Sequence, residues 1–294
     1  MKPIFTISQG MLLMVGYGII AFAISWLFSR HSHRNKLQFL VANRSLGKWE
    51  AAFSISATWI WAPALFIAAQ KAYTQGLAGL FWFTVPNVLC LIIFAFFAEK
   101  LRQKMPSGFT LSDYMRERFS KRVQNLYMVE LVGLAACSFG VQLLAGGKII
   151  SALTGIPFFW VTVVLAVISL SYSVFSGIKA SVVTDYAQMV WILLVGFTLI
   201  PWAIGKAGGM EVVIKGLGGV SGEFANIFSA KGLEVAVAFG IPVTIGLLAG
   251  PFGDQSFWQR AFATKQEHVK SAFIWGAIIF ALVPLLMSLT GFTA

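Results

Sequence analysis

Residues 50–71 read EAAFSISATWIWAPALFIAAQK, and this stretch decides the fold. It is long and apolar enough to cross a bilayer, which takes about 20 mostly apolar residues. Pro63 nevertheless stands near its middle. Proline inside a helix removes one backbone hydrogen bond and clashes with the carbonyl four residues back, so Pro63 frees the carbonyl of Trp59. A second span, residues 233–253 (LEVAVAFGIPVTIGLLAGPFG), carries Pro242 at a matching place and frees the carbonyl of Ala238. In lipid an unpaired carbonyl is costly, so broken backbone persists only inside protein or beside a wet cavity. Paired broken spans at corresponding positions mark the substrate and ion site of transporters built from inverted repeats. The alternative is two ordinary proline kinks, which are frequent in membrane helices.

Composition agrees with a membrane chain. Of its 294 residues, 58% are hydrophobic and 11% are charged, whereas a soluble domain carries about 25% charged residues. Cys90 and Cys137 lie in apolar runs and offer no disulfide framework. His31, His33 and His268 fall outside the spans and form no metal set. No nucleophile–base pair, zinc motif or phosphate loop is present, so an enzyme is not expected. A net charge of +11 could point to nucleic acid. The basic residues flank hydrophobic spans instead, which points to membrane orientation and to a lipid bilayer as the partner.

Eight candidate spans fall near 8–29, 50–71, 77–98, 123–151, 157–175, 180–204, 233–253 and 270–292. The apolar run of the first is too long for a signal peptide, and no small-residue cleavage site follows it, so it reads as a retained anchor. With the N-terminus outside, most of the 22 Lys and Arg residues face inward. Only Lys2, Lys71, Lys148, Lys206, Lys215 and Lys231 fall outside or near outer span ends. That asymmetry sets the orientation. The inner loop 99–122 predicts a short amphipathic surface helix, with Thr110 and Asp113 spaced as a capping pair. The glycine-rich outer loop 205–232 is expected to be a cover with little regular structure.

Polar residues inside spans are functional candidates. Glu130 is expected to pair with a loop cation near the inner face. Gln142 lies at mid-depth, where an amide that donates and accepts suits a polar solute. Lys148 is placed to snorkel outward. Asp185 reads as a guide for a cation leaving inward, or as a partner of Lys179. Asp254 and Arg260 read as an ion pair or gate at the cytoplasmic end of the second broken span. Trp59 and Trp61 sit too deep to be interfacial anchors. Together with Trp82 they either pack a small polar solute or pack helix against helix.

The chain from about residue 37 onward resembles the sodium:solute symporter family. The resemblance is carried by VANRSLGKWEAAFSISAT (41–58), AYTQG (72–76), FTLSDYMRERF (109–119), VFSGIKASVVTDYAQ (174–188) and DQSFWQRAFATK (254–265), in that order. The tryptophan-rich WIWAPALFIAAQKAYTQGLAGLFWF (59–83) looks most like the urea and polyamine branch. The resemblance implies an all-α integral membrane fold: a leading helix at 8–29, a complete five-helix repeat at 50–204, and an inverted second repeat that starts at 233 and stops after two helices. It implies Na+ as coupling ion, held by the backbone carbonyls of Ala57 and Ile60 and by hydroxyls of a helix this chain does not contain. It further implies uptake of a small solute such as urea across the plasma membrane, and the polar and aromatic residues read above place that solute between the two proline-bearing spans near Trp59, Trp61 and Gln142. Asp185, Asp254 and Arg260 would line the ion path or gate. The missing helices imply a second polypeptide, a truncated gene or another role. The alternative function is a symporter-like sensor module feeding a signalling domain.

Overall fold

The computed structural model describes residues 3–29, 35–175 and 177–294. Arg30, His31, His33 and Arg34, which the sequence reading used, lie outside the described residues. The described chain is helical throughout: α1 (Ile7–Ser29), α2 (Lys36–Val41), α3 (Lys48–Trp59), α4 (Ala62–Lys104), α5 (Leu111–Arg118), α6 (Lys121–Thr154) and α7 (Phe158–Phe175) come first. They are followed by α8 (Ile178–Ala207), α9 (Met210–Gly216), α10 (Ala230–Val235), a π-turn (Ala236–Gly240), α11 (Ile241–Gly253), α12 (Gln255–Ala263) and α13 (Val269–Phe292). Its sole extended pairing among the described residues is a single bridge between Leu46 and Thr264.

Among the described residues, six helices are long and apolar enough to cross a membrane unaided. The eight expected spans map onto these six with two adjustments. First, α4 holds the outer half of one span and all of the next, divided where Gln75 and Gly76 leave helical geometry. Gly76 adopts φ +51, and a Cβ there would collide with the Leu217 carbonyl, so only glycine turns this corner. Second, α7 is short, with its apolar stretch at Phe158–Ser171.

The first broken span breaks as its sequence demands. Helix α3 ends at Trp59, Ile60 and Trp61 are extended (ψ 104 and 155), and α4 restarts at Ala62. The second does not unwind, which corrects the expectation of two matching breaks. Residues 236–240 form a π-turn with right-handed dihedrals on both sides, in which Ile241 N–H reaches the Ala236 carbonyl. A wide turn takes up the missing Pro242 donor without opening the helix.

The outer loop also departs from expectation. It contains α9, and Val213 is buried. Its turns are fastened to the α4 corner by Leu77 N–H to the Leu217 carbonyl (2.9 Å) and Ala78 N–H to the Phe224 carbonyl (3.2 Å). The glycines that suggested a structureless loop let its backbone sit directly on the corner.

The main core lies where α3, the second half of α4, α12 and α13 meet. Phe94 is its hub, with ring centroids 4.5 Å from Trp258, 5.1 Å from Phe252 and 5.1 Å from Phe273. Edge-to-face pairs of this kind add about 0.5–1.5 kcal/mol each beyond their buried area. The amphipathic helix α5 forms as expected, capped reciprocally by Thr110 and Asp113.

Candidate functional site: the interrupted helix and its ion pair

The break at Ile60–Trp61 is the centre of the site. Ile60 N–H reaches back to the carbonyls of Ser56 and Ala57, each at 3.2 Å. One lone pair of the Ala57 oxygen stays available, because a carbonyl accepts two bonds. Extended backbone at Ile60 takes its carbonyl out of the helical ladder. Two oxygen acceptors therefore lie at adjacent turns of one interrupted helix, which is hard-ligand chemistry suited to a small hard cation.

The Pro242 span packs on α3 and α4 through tryptophans. Trp59 is 5% exposed. It packs edge-on against Phe257 at 5.3 Å, and a Cβ at Gly250 would lie 2.9 Å from its ring. Trp82 lies flat against Gly240 in the π-turn, leaving no room for a side chain there. The indole N–H groups of Trp59 and Trp82 are buried with no hydrogen-bond partner among the described residues, as is the hydroxyl of Thr84. Nearer the α4 corner, Lys71 Nζ lies 3.9 Å from the Phe239 ring centroid and donates to Gln75 Oε1 at 3.0 Å, tying α4 to the π-turn. Trp61 and Gln142 are half-buried, Gln142 on α6.

Below the break lies a polar cavity of about 350 Å³, lined by Thr58, Ser181, Thr184, Asp185, Gln188 and Arg260. Its strongest feature is a buried pair. Arg260 Nη2 and Asp185 Oδ2 are 2.6 Å apart, with side chains 6% and 17% exposed. Ser54 joins them: Arg260 Nε donates to its Oγ (2.8 Å), and its hydroxyl donates to Asp185 Oδ2 (2.6 Å). Arg260 Nη1 also donates to the Ser256 carbonyl (2.9 Å). Three helices, α3, α8 and α12, are thus held by one carboxylate and one guanidinium.

Two pairings read from the sequence are corrected. Asp254 does not pair with Arg260; its Oδ1 accepts from Ser256 N–H (2.8 Å) and caps α12. Asp185 does not pair with Lys179, which is exposed. Glu130 is exposed and, among the described residues, holds no ion pair. Sequence reasoning missed Ser54, Thr58 and Gln188. Ser54 and Thr58 lie in the quoted stretch four residues apart, which is the one signal that could have placed them on a common face.

Residues 39–294 match the sodium:solute symporter family. The chain belongs to this family. It is 26% identical over 304 residues to a probable urea active transporter of Schizosaccharomyces pombe, covering 98% of this chain and 46% of that protein. It is 21% identical to the urea-proton symporter DUR3 of Oryza sativa subsp. japonica, over 96% of this chain and 43% of that one. Among solved structures it shares the fold of a Na+-coupled sialic acid symporter in a substrate-bound outward-open state. That match has a TM-score of 0.74 and 18% identity, and covers 97% of this chain and 59% of the other. This symporter-family chain is a multi-pass membrane protein and spans less than half the length of the curated relatives named here.

Proposed function

We propose that this chain supplies the first five-helix repeat, residues 50–204, and the opening of the second, from residue 233, of a Na+-coupled symporter for urea or a similarly small polar solute. The observation that carries this reading is the helix break at Ile60–Trp61, with Trp59 packed against the Pro242 span at Gly250, within a chain of this family. In the proposal Na+ sits on the carbonyls of Ala57 and Ile60. The solute lies between the interrupted first span and the Pro242 span near Trp59, Trp61 and Gln142, where the Trp59 indole N–H, without a partner among the described residues, suits a carbonyl oxygen. Asp185 and Arg260 close the cytoplasmic side. Asp254 holds α12, and with it Arg260, in place. The N-terminus is outside and the membrane is the plasma membrane. Further helices, from the same or a second polypeptide, complete the site.

Proton coupling is the second reading, favoured by the likeness to a urea-proton symporter. One experiment separates them. Radiolabelled urea uptake is measured in proteoliposomes holding the complete transporter, under an imposed Na+ gradient or an imposed proton gradient. Accumulation driven by Na+ at constant pH supports the proposal; accumulation that follows only the proton gradient replaces it. In the same assay Gln142→Ala should lower uptake more than it lowers protein level. Intact uptake per molecule would remove Gln142 from the site.

A further inference from the structure

On the face that the proposed orientation puts in the cytoplasm lies a second site, built from cations that form no ion pair among the described residues. A pocket of about 620 Å³ opens between the start of α2, the end of α4 and α5, and Lys36, Lys104 and Arg116 line it. Two carboxylates also line it. Asp113 is committed through Oδ2 to Thr110 N–H (3.2 Å), and Glu117 pairs with none of these cations among the described residues. All ion pairs of the described residues lie elsewhere: Lys231–Glu234, Arg260–Asp185 and Lys270–Glu99.

Behind the pocket lie two more guanidiniums. Arg44 Nη2 donates to the carbonyls of Ser107 (2.7 Å) and Gly108 (3.0 Å). Arg102, 5% exposed, donates through Nη1 to the Pro106 carbonyl (2.6 Å). The Nε of each is buried without a partner, and burial lowers the Arg44 pKa from its ordinary value. These bonds orient the 106–110 turn. Across a trans peptide the N–H points opposite the carbonyl. With the carbonyls of Pro106 and Gly108 turned inward to the arginines, the N–H groups of Ser107 and Phe109 turn away from them. Neither donates to a protein group among the described residues. Three cationic side chains thus border one pocket, and Ser107 and Phe109, whose N–H groups turn away from the arginines, also line it.

An apolar groove of about 620 Å³ adjoins it and shares Lys104. Its walls include Phe97, Leu111, Tyr114, Met115 and Phe252. Ser112, Asp113, Arg116 and Glu117 of α5 line the charged pocket, while Leu111, Tyr114 and Met115 on its other face line the groove with Lys100 and Glu130. An amphiphile with its head in the pocket would therefore pass its chain by Lys104 into the groove. The inner leaflet is also where anionic lipid meets basic segments.

We propose that this pocket binds the phosphate group of an anionic phospholipid, with an acyl chain along the Phe97–Met115 groove. The site is independent of the transported solute. Each Lys or Arg near an anionic surface contributes about 1 kcal/mol, or about fivefold in affinity. Lipid retention is read by native mass spectrometry of the purified chain in detergent, with phosphatidylglycerol, phosphatidylcholine or inorganic phosphate added. Phosphatidylglycerol should be retained and phosphatidylcholine washed away, and millimolar inorganic phosphate should not displace the lipid. The triple variant Lys36→Gln, Lys104→Gln, Arg116→Gln should weaken retention on the order of a hundredfold. The charge-keeping set Lys36→Arg, Lys104→Arg, Arg116→Lys should retain it, as should the outer-face control Lys206→Gln, Lys215→Gln. A second measurement needs no variant: hydrogen exchange at residues 105–112 should slow in phosphatidylglycerol nanodiscs relative to phosphatidylcholine nanodiscs. Equal retention of the two lipids, displacement by inorganic phosphate, an unaffected triple variant or unchanged exchange would each overturn the proposal.

Discussion

At the scale of single residues the governing feature is the Ser54–Asp185–Arg260 cluster. A buried ion pair replaced as a unit by apolar residues often costs little, whereas removing one partner strands the other charge and costs about 3–5 kcal/mol. Asp185→Asn should therefore lower the thermal midpoint of the purified protein strongly, because Arg260 keeps its charge at 6% side-chain exposure. The double variant Asp185→Leu, Arg260→Met should recover most of the loss. Scanning fluorimetry in detergent reads both. An unchanged midpoint in Asp185→Asn would mean that the pair does not form. The sequence marked Asp185 and Arg260 as important because charges are rare in apolar runs. It could not pair them, since they are 75 residues apart and no local period links α8 to α12. Ser54 was invisible for another reason: one small hydroxyl in an apolar span looks like packing until its neighbours are known.

At the scale of elements, the two prolines show what sequence can and cannot fix. Each removes a donor at a stated place, and the helix boundaries follow closely from the apolar runs. How the freed carbonyl is rehoused depends on the surroundings. At Pro63 the chain unwinds over Ile60 and Trp61. At Pro242 it widens into a π-turn, with Gly240 pressed against Trp82 and Thr244 Oγ1 donating to the Gly240 carbonyl at 2.6 Å. These contacts come from α4 and the helix's own next turn, and the pattern of residues 233–253 does not contain the first of them. Pro63→Ala restores an N–H one turn after Trp59 and lets α3 run into α4. Hydrogen exchange across residues 60–64 should slow in this variant, and Na+ dependence of urea uptake by the complete transporter should weaken. Slower exchange with unchanged Na+ dependence would separate the break from the cation site and place Na+ elsewhere.

At the scale of the whole molecule, the order of spans was legible because each is a long apolar run bounded by charge or glycine. The small connecting helices α2, α9 and α12 were not, since their stability comes from docking and not from their own periodicity. α12 is the telling case: its block DQSFWQRAFATK was recognisable as a motif, yet only packing of Phe257, Trp258 and Phe262 into the core makes it a helix lying against α3 and α4. The described fold is also uneven in its burial. Half of the most apolar stretch of α4 and of the α13 span is buried, while none of the most apolar stretch of α6 is. Lipid can cover such a surface, but lipid cannot supply the further oxygen ligands that the proposed Na+ site at Ala57 and Ile60 requires. Alternating access, moreover, moves one repeat-built bundle against another around a central site. Residues 1–294 reconstituted alone, in liposomes with an imposed Na+ gradient, should therefore bind to the membrane and fold without accumulating urea. Adding the family's remaining helices in the same or a second polypeptide should restore accumulation. Sustained Na+-driven uptake by residues 1–294 alone would reverse this argument. It would require two copies to cover each other's α6 and to complete each other's cation site, and crosslinking between cysteines placed on the exposed face of α6 would then capture the dimer.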